Sequence, residues 1–128
     1  MRKALPPLHV DLNAVAPGYA VDVLGARLGQ LGLKRFMVEI GGEVMARGLN
    51  AQGRSWRIAV ERPVDTQSSA YAILNLGDAS VSTSGEYRHY YYYEGHRYSH
   101  TIDPRTGRPI QHSVGAVVVI ADTTFDAD

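Results

Sequence analysis

The chain has 128 residues, 45% of them hydrophobic, which is the size of one ordinary domain or of one piece of a larger one. Lys and Arg number 13 and Asp and Glu number 13, so the formal charge is zero and gives no electrostatic case for binding nucleic acid or an anionic membrane surface. Cysteine is absent, which excludes disulfides, thiolate zinc sites and cysteine nucleophiles and leaves any metal to oxygen or imidazole ligands.

The N-terminus, MRKALPPLHV, has basic residues followed by prolines and no apolar stretch long enough for a signal peptide or a membrane span, so it reads as the start of a soluble chain without an address. Leu8 to Leu12 alternates around Asp11 and predicts a short strand that delivers DLNAVAPG to a loop. From Pro17 to Leu31 the apolar residues Ala20, Val21, Leu24, Leu28 and Leu31 recur at spacings of three and four, which predicts one buried face of a helix. Pro17 suits the first turn, and Gly32 suits the left-handed position that closes the helix. Gly25 and Gly29 weaken the interior, and their spacing points to a close backbone approach on that side.

Phe36 to Ile40 is a nearly continuous apolar run, read as a strand buried on both faces, and it ends at Gly41-Gly42. Glu43 to Arg47 and Trp56 to Glu61 read as strands of one hairpin, with Asn50 to Gly53 supplying the turn. Ala70 to Leu76 is a further strand, and Val114 to Ile120, the most β-branched run, reads as a core strand. One helix followed by a row of strands predicts an α+β fold with the helix packed on a mostly antiparallel sheet.

Chemistry concentrates between Ser82 and Pro109, where Ser, Thr, His, Asp and Arg sit among Gly and Pro. His100 stands beside Ser99 and three residues before Asp103, and the Asp-Pro-Arg-Thr-Gly turn fixes where both point. A histidine so held is a reasonable general base or phosphate partner. Asp103 itself reads as an organiser of the turn. Tyr90 to Tyr93, taken as a strand, would turn two rings inward and two outward, mostly as packing or hairpin surface. DLNAVAPG places Asp11 and small residues before a helix N-terminus, a geometry that attracts phosphate or a carbonyl-coordinated cation; taken alone, the motif reads first as Asp11 capping the turn. Gly41-Gly42 admits either a ligand lying close to the backbone or a plain bulge at the strand end.

The motifs DLNAVAPGYAVD, EIGGEVMARG, STSGEYRHYYYYEGHRYSHTIDPRTGRPI and VVVIADTTFDAD, in that order and spanning nearly the whole chain, resemble the ApbE family of bacterial FAD:protein FMN transferases. The resemblance implies magnesium-dependent cleavage of the FAD pyrophosphate, transfer of FMN to a Thr hydroxyl of a target flavoprotein, and release of AMP. By the same resemblance Asp128 and the backbone carbonyl of Ala14 match the magnesium ligands. Asp11, Pro17 and Ile102 match positions that touch FAD, Gly41 and Gly42 line the flavin side, and His100 matches the histidine that activates the acceptor Thr.

Two departures accompany the match. Pro17 stands where the family usually has Lys, which removes a cationic contact to the nucleotide. Family members also run to several hundred residues, so residues 1–128 are expected to be a single partial domain, lacking an N-terminal half and a C-terminal segment with a further Thr ligand, and to have little activity alone. The family implies the bacterial periplasm or the outer face of the inner membrane, with a membrane tether only through a segment outside this chain. The rival expectations are a module that holds FAD or FMN without transferring it, and a non-catalytic assembly domain.

Overall fold

The computed structural model describes residues 7, 9–63, 69–85, 90–111 and 114–128. Its elements in chain order are helix α1 (Ala16–Gln30), strands β1 (Phe36–Ile40), β2 (Glu43–Arg47), β3 (Trp56–Glu61), β4 (Ala70–Leu76), β5 (Ala79–Gly85), β6 (Tyr90–Tyr93), β7 (His96–Ser99), β8 (Ile102–Asp103), β9 (Arg108–Pro109) and β10 (Ala116–Ala121), and a short helix α2 (Thr124–Ala127). Strands β1, β2, β5 and β10 form a four-stranded antiparallel sheet in the order β1-β2-β5-β10, and β3–β4, β6–β7 and β8–β9 are separate antiparallel ribbons. The fold is α+β, with helices packed on antiparallel sheet.

Alternation along the strands gives the sheet two different faces. Val44, Ala46 and Val81 point to one face and meet Leu76, Trp56, Ile58 and Leu74 of the β3–β4 ribbon, which is the apolar core. The Trp56 indole donates to the Arg47 carbonyl at 3.1 Å and so ties the ribbon to the sheet. Glu43, Met45, Ser80 and Ser82 point to the opposite face, against the helices. There α1 comes very close: a Cβ on Gly25 would collide with the Met45 sulfur. The close approach read from the glycine spacing therefore holds at Gly25, whereas Gly29 has nothing within 4 Å.

Residues 9–12 form no strand and are exposed, and Leu8 lies outside the described residues. The buried stripe of α1 is Gly18, Val21 and Gly25, while Leu24 and Leu31 are exposed, because the helix nests on the sheet through its small residues and not its leucines. Strand β1 is a sheet edge whose residues alternate between half-buried and exposed; the strand buried on both faces is its neighbour β2. Asn50 to Gly53 does turn the chain, with Gly53 N–H donating to the Asn50 carbonyl at 3.0 Å, but β2 and β3 do not pair. The hairpin partner of β2 is β1. Strand β10 is the other edge: Val118 packs against the core, whereas Val117, Val119 and Ile120 are exposed, so only one face of the β-branched run meets the core.

Ser80 Oγ is fully buried on the helix face and has no hydrogen-bond partner among the described residues. An unmet buried hydroxyl costs about 1–3 kcal/mol, so Ser80→Ala is expected to leave thermal stability unchanged or raise it by about 1 kcal/mol. A loss of stability in a melting experiment would show that the hydroxyl has a role the packing does not reveal.

Candidate functional site

Helix α1 begins without a side-chain cap on Val15, and Pro17 lies in its first turn. Its early N–H groups therefore need other acceptors. In a continuing helix Gly18 N–H would point at the carbonyl of Ala14, four residues back. Here it donates to Asp128 Oδ2 at 2.9 Å, which brings the last residue of the chain onto the first turn of α1. Ala14 precedes α1 in the turn closed by Val15 N–H and Ala16 N–H on the Leu12 carbonyl, so Ala14 and Asp128 both flank the start of α1.

Glu43 stands beside this carboxylate. It is only 8% exposed, and its Oε1 accepts from the Ser82 hydroxyl at 3.4 Å. Burial first, and the negative charge of Asp128 second, push the Glu43 carboxyl above the ordinary glutamate range. Two neighbouring acids that repel each other, with oxygen donors around them, suit a hard divalent cation such as Mg2+, which takes one or two carboxylates and retains waters. Among the described residues no three acidic or histidine side chains form a metal cage, so a cation held here would rest on Asp128, a backbone carbonyl and oxygens from outside the protein.

Gly41 and Gly42 form the two-residue turn between β1 and β2, with φ of 66° and 110°. They are a tight hairpin turn and not a bulge; positive φ at both positions is what such a turn demands and what glycine supplies without strain. They also edge a cavity of about 770 Å3 between the sheet and the β3–β4 ribbon, with Val44, Arg57, Ile58 and Thr83 among its walls. That volume is in the range of small-molecule sites. The cavity opens on the core face, whereas Glu43 and Asp128 lie on the helix face, so the glycine turn stands at the boundary between them.

Asp11 is exposed, and its Oδ1 accepts from Asn13 N–H at 2.9 Å, so within these residues it caps its own turn. His100 occupies an exposed bend after β7, next to the buried Ser99, whose Oγ accepts from Thr101 N–H at 3.0 Å. Ile102 is half-exposed and pairs with Pro109. Neither residue lines the 770 Å3 cavity; Ile102 belongs to the β8–β9 ribbon, separate from the main sheet, and His100 to the bend that joins β7 to β8. Asp103 organises its turn as expected: its carboxylate takes Arg105 N–H at 2.9 Å and the guanidinium at 3.1 Å, and that side-chain contact holds its carboxyl below the usual range.

Within the run Tyr90–Tyr93 the first ring is half-buried and the next three are exposed, so the inward pair is not seen. The rings use each other instead: Tyr91 stacks on Tyr98 at 5.3 Å, and the Arg97 guanidinium lies 4.0 Å over Tyr90. Glu86 to His89 of the same stretch lie outside the described residues. The residues that sequence reasoning left without a role are Gly18, Asp22, Glu43 and Ser82. A four-residue spacing of Gly18 and Asp22 on one helix face was the available signal.

The model of the ApbE family matches residues 1–128. The FAD:protein FMN transferase of Salmonella typhimurium is 47% identical over all 128 residues, which cover 37% of that protein, and that of Escherichia coli K12 is 44% identical with 36% covered. Among solved structures, the flavin transferase ApbE from Vibrio cholerae superposes on 98% of this chain with a TM-score of 0.84 and 46% identity, over 39% of its own length. The ApbE protein from Thermotoga maritima gives 0.83 at 32% identity, covering 92% of this chain and 38% of its own. The chain spans a little over a third of the curated relatives it matches. Matched from its first residue to its last by sequence and in backbone course by relatives of known structure, the chain belongs to the ApbE family.

Proposed function

We propose that the protein carrying this chain transfers FMN from FAD to a Thr hydroxyl of a target flavoprotein, with Mg2+ bound at Asp128 and the Ala14 carbonyl. The observation that carries this reading is the Asp128 carboxylate, held by Gly18 N–H at the start of α1 beside the buried Glu43. In the reaction the Thr oxygen bonds to the phosphorus of the FMN half, the bond from that phosphorus to the bridging oxygen breaks, and AMP leaves with that oxygen. Bound Mg2+ would neutralise charge on the diphosphate. His100, on an exposed bend, takes the hydroxyl proton where a partner protein can reach it. The open, positive-φ turn at Gly41-Gly42 lets a flat ring lie against backbone. On this reading residues 1–128 are one part of a larger domain, and a periplasmic or outer-face location rests on the family alone.

The test is labelling of a Thr-bearing acceptor peptide by the intact protein with FAD and Mg2+, read by mass. Asp128→Asn is expected to lose several kcal/mol of transition-state stabilisation, more than about 100-fold in rate, and His100→Ala to lower the rate with FAD binding retained. Undiminished labelling by Asp128→Asn overturns the metal assignment, and no labelling by the parent overturns the transferase reading.

A further inference from the structure

Helix α2 leads directly into the carboxylate proposed to bind the metal. Thr123 caps it locally, accepting from Asp126 N–H at 3.1 Å. Its first two N–H groups go elsewhere. Thr124 N–H donates to Asp22 Oδ1 and Phe125 N–H to Asp22 Oδ2, both at 2.8 Å, across more than a hundred residues of sequence. Thr124 beneath them is fully buried.

Asp22 lies one turn after Gly18 on α1, and Thr124 lies four residues before Asp128. Each pair therefore spans about 6 Å at 1.5 Å per residue. The later residue of α1 meets the start of α2, and the earlier residue of α1 meets its end, so the two segments run antiparallel and match rung for rung. Each helix places a carboxylate at the other's N-terminus, where unmet N–H groups and the helix dipole favour negative charge. Both oxygens of Asp22 are used, which fixes the direction of α2 as well as its position.

We propose that Asp22 is the positioning residue that sets where the Asp128 carboxylate stands. Asp22 acts through α2, whose first two N–H groups its carboxylate holds. The proposal rests on the metal reading of Asp128 for its functional consequence, and on the hydrogen bonds alone for its structural part. Asp22→Asn keeps the side-chain shape but turns an NH2 toward a backbone N–H, losing one bond and opposing two donors.

In the intact protein without FAD, Mn2+ affinity is measured by EPR titration and the exchange rate of the Gly18 amide by NMR. Leu76→Ala, which opens the core on the far side of the sheet, is the control for plain loss of stability. Asp22→Asn is expected to weaken Mn2+ binding about 10- to 100-fold and to speed Gly18 exchange about tenfold, while Leu76→Ala leaves Mn2+ affinity within about twofold. Gly18 exchange in Asp22→Asn no faster than in Leu76→Ala overturns the positioning role. Mn2+ binding unchanged in Asp128→Asn overturns the metal reading instead, and the exchange rates still decide what Asp22 does.

Discussion

Gly18→Ala is expected to destabilise the protein by about 1–3 kcal/mol, although alanine is the better helix former by about 1 kcal/mol. The added Cβ would stand 2.7 Å from the Thr124 carbonyl oxygen and from Asp128 Cβ, and 2.9 Å from Asp128 Oδ2. Real Cβ atoms do not approach that closely, and a backbone carbonyl cannot swing aside as a side-chain tip can. Helix α2 must therefore move off α1, which breaks the bond from Gly18 N–H to Asp128. Gly29→Ala separates sterics from propensity, since nothing lies within 4 Å of that position, and it is expected to stabilise by about 1 kcal/mol. Thermal melts of both variants decide the matter: a Gly18→Ala protein that melts at or above the parent would show that α2 does not pack as described. The same variant is expected to lose Thr labelling about as fully as Asp128→Asn.

The contrast between these two glycines also shows what the sequence carries and what it does not. Strand limits such as Phe36 to Ile40 and Trp56 to Glu61 follow from local composition, and they stand as read. Pairing is a non-local property. The turn residues Asn50 to Gly53 look like a hairpin, yet the two-residue Gly41-Gly42 turn makes the tighter one, and β2 then spends its other edge on β5. Exposure of Leu24 is equally invisible to periodicity, because the helix chooses the face that lets Gly25 sit on Met45. The resemblance singles out Asp128 and Gly41 as candidates, but the Gly18 N–H that holds Asp128 comes from the far end of the chain. Nothing local to FDAD identifies Gly18 or Asp22 as its support. Glu43 follows the glycine pair directly in the sequence, and only the packing of α2 over the sheet reveals that it faces another acid.

Glu43→Gln is expected to make the metal-free protein more stable at neutral pH and to remove a stability loss that the parent shows as pH rises. Glu43 is buried, and Asp128 adds a like charge; both effects raise its carboxyl above the ordinary value of 4.5, and hydrogen bonding from its own backbone N–H and then from the Ser82 hydroxyl only partly offsets them. Folding therefore favours the protonated form, and in the interval between the unfolded and folded values the native state binds more protons than the unfolded one. The sign follows: the contribution of Glu43 is fully present below the unfolded value and is lost as pH rises through the folded one. Asp103 shifts the opposite way through Arg105, so its contribution belongs above the ordinary aspartate value and falls away only in acid. The two are separable by scanning denaturant midpoints from about pH 3 to pH 8. Glutamine has nearly the same shape and no charge, so the difference between variant and parent should be small in acid and grow toward neutrality. Added Mg2+ should shrink it, since a cation at Asp128 cancels the charge that Glu43 opposes. A parent that gains stability over Glu43→Gln as pH rises, without metal, would mean that Glu43 is held as a carboxylate by a group other than those facing it here.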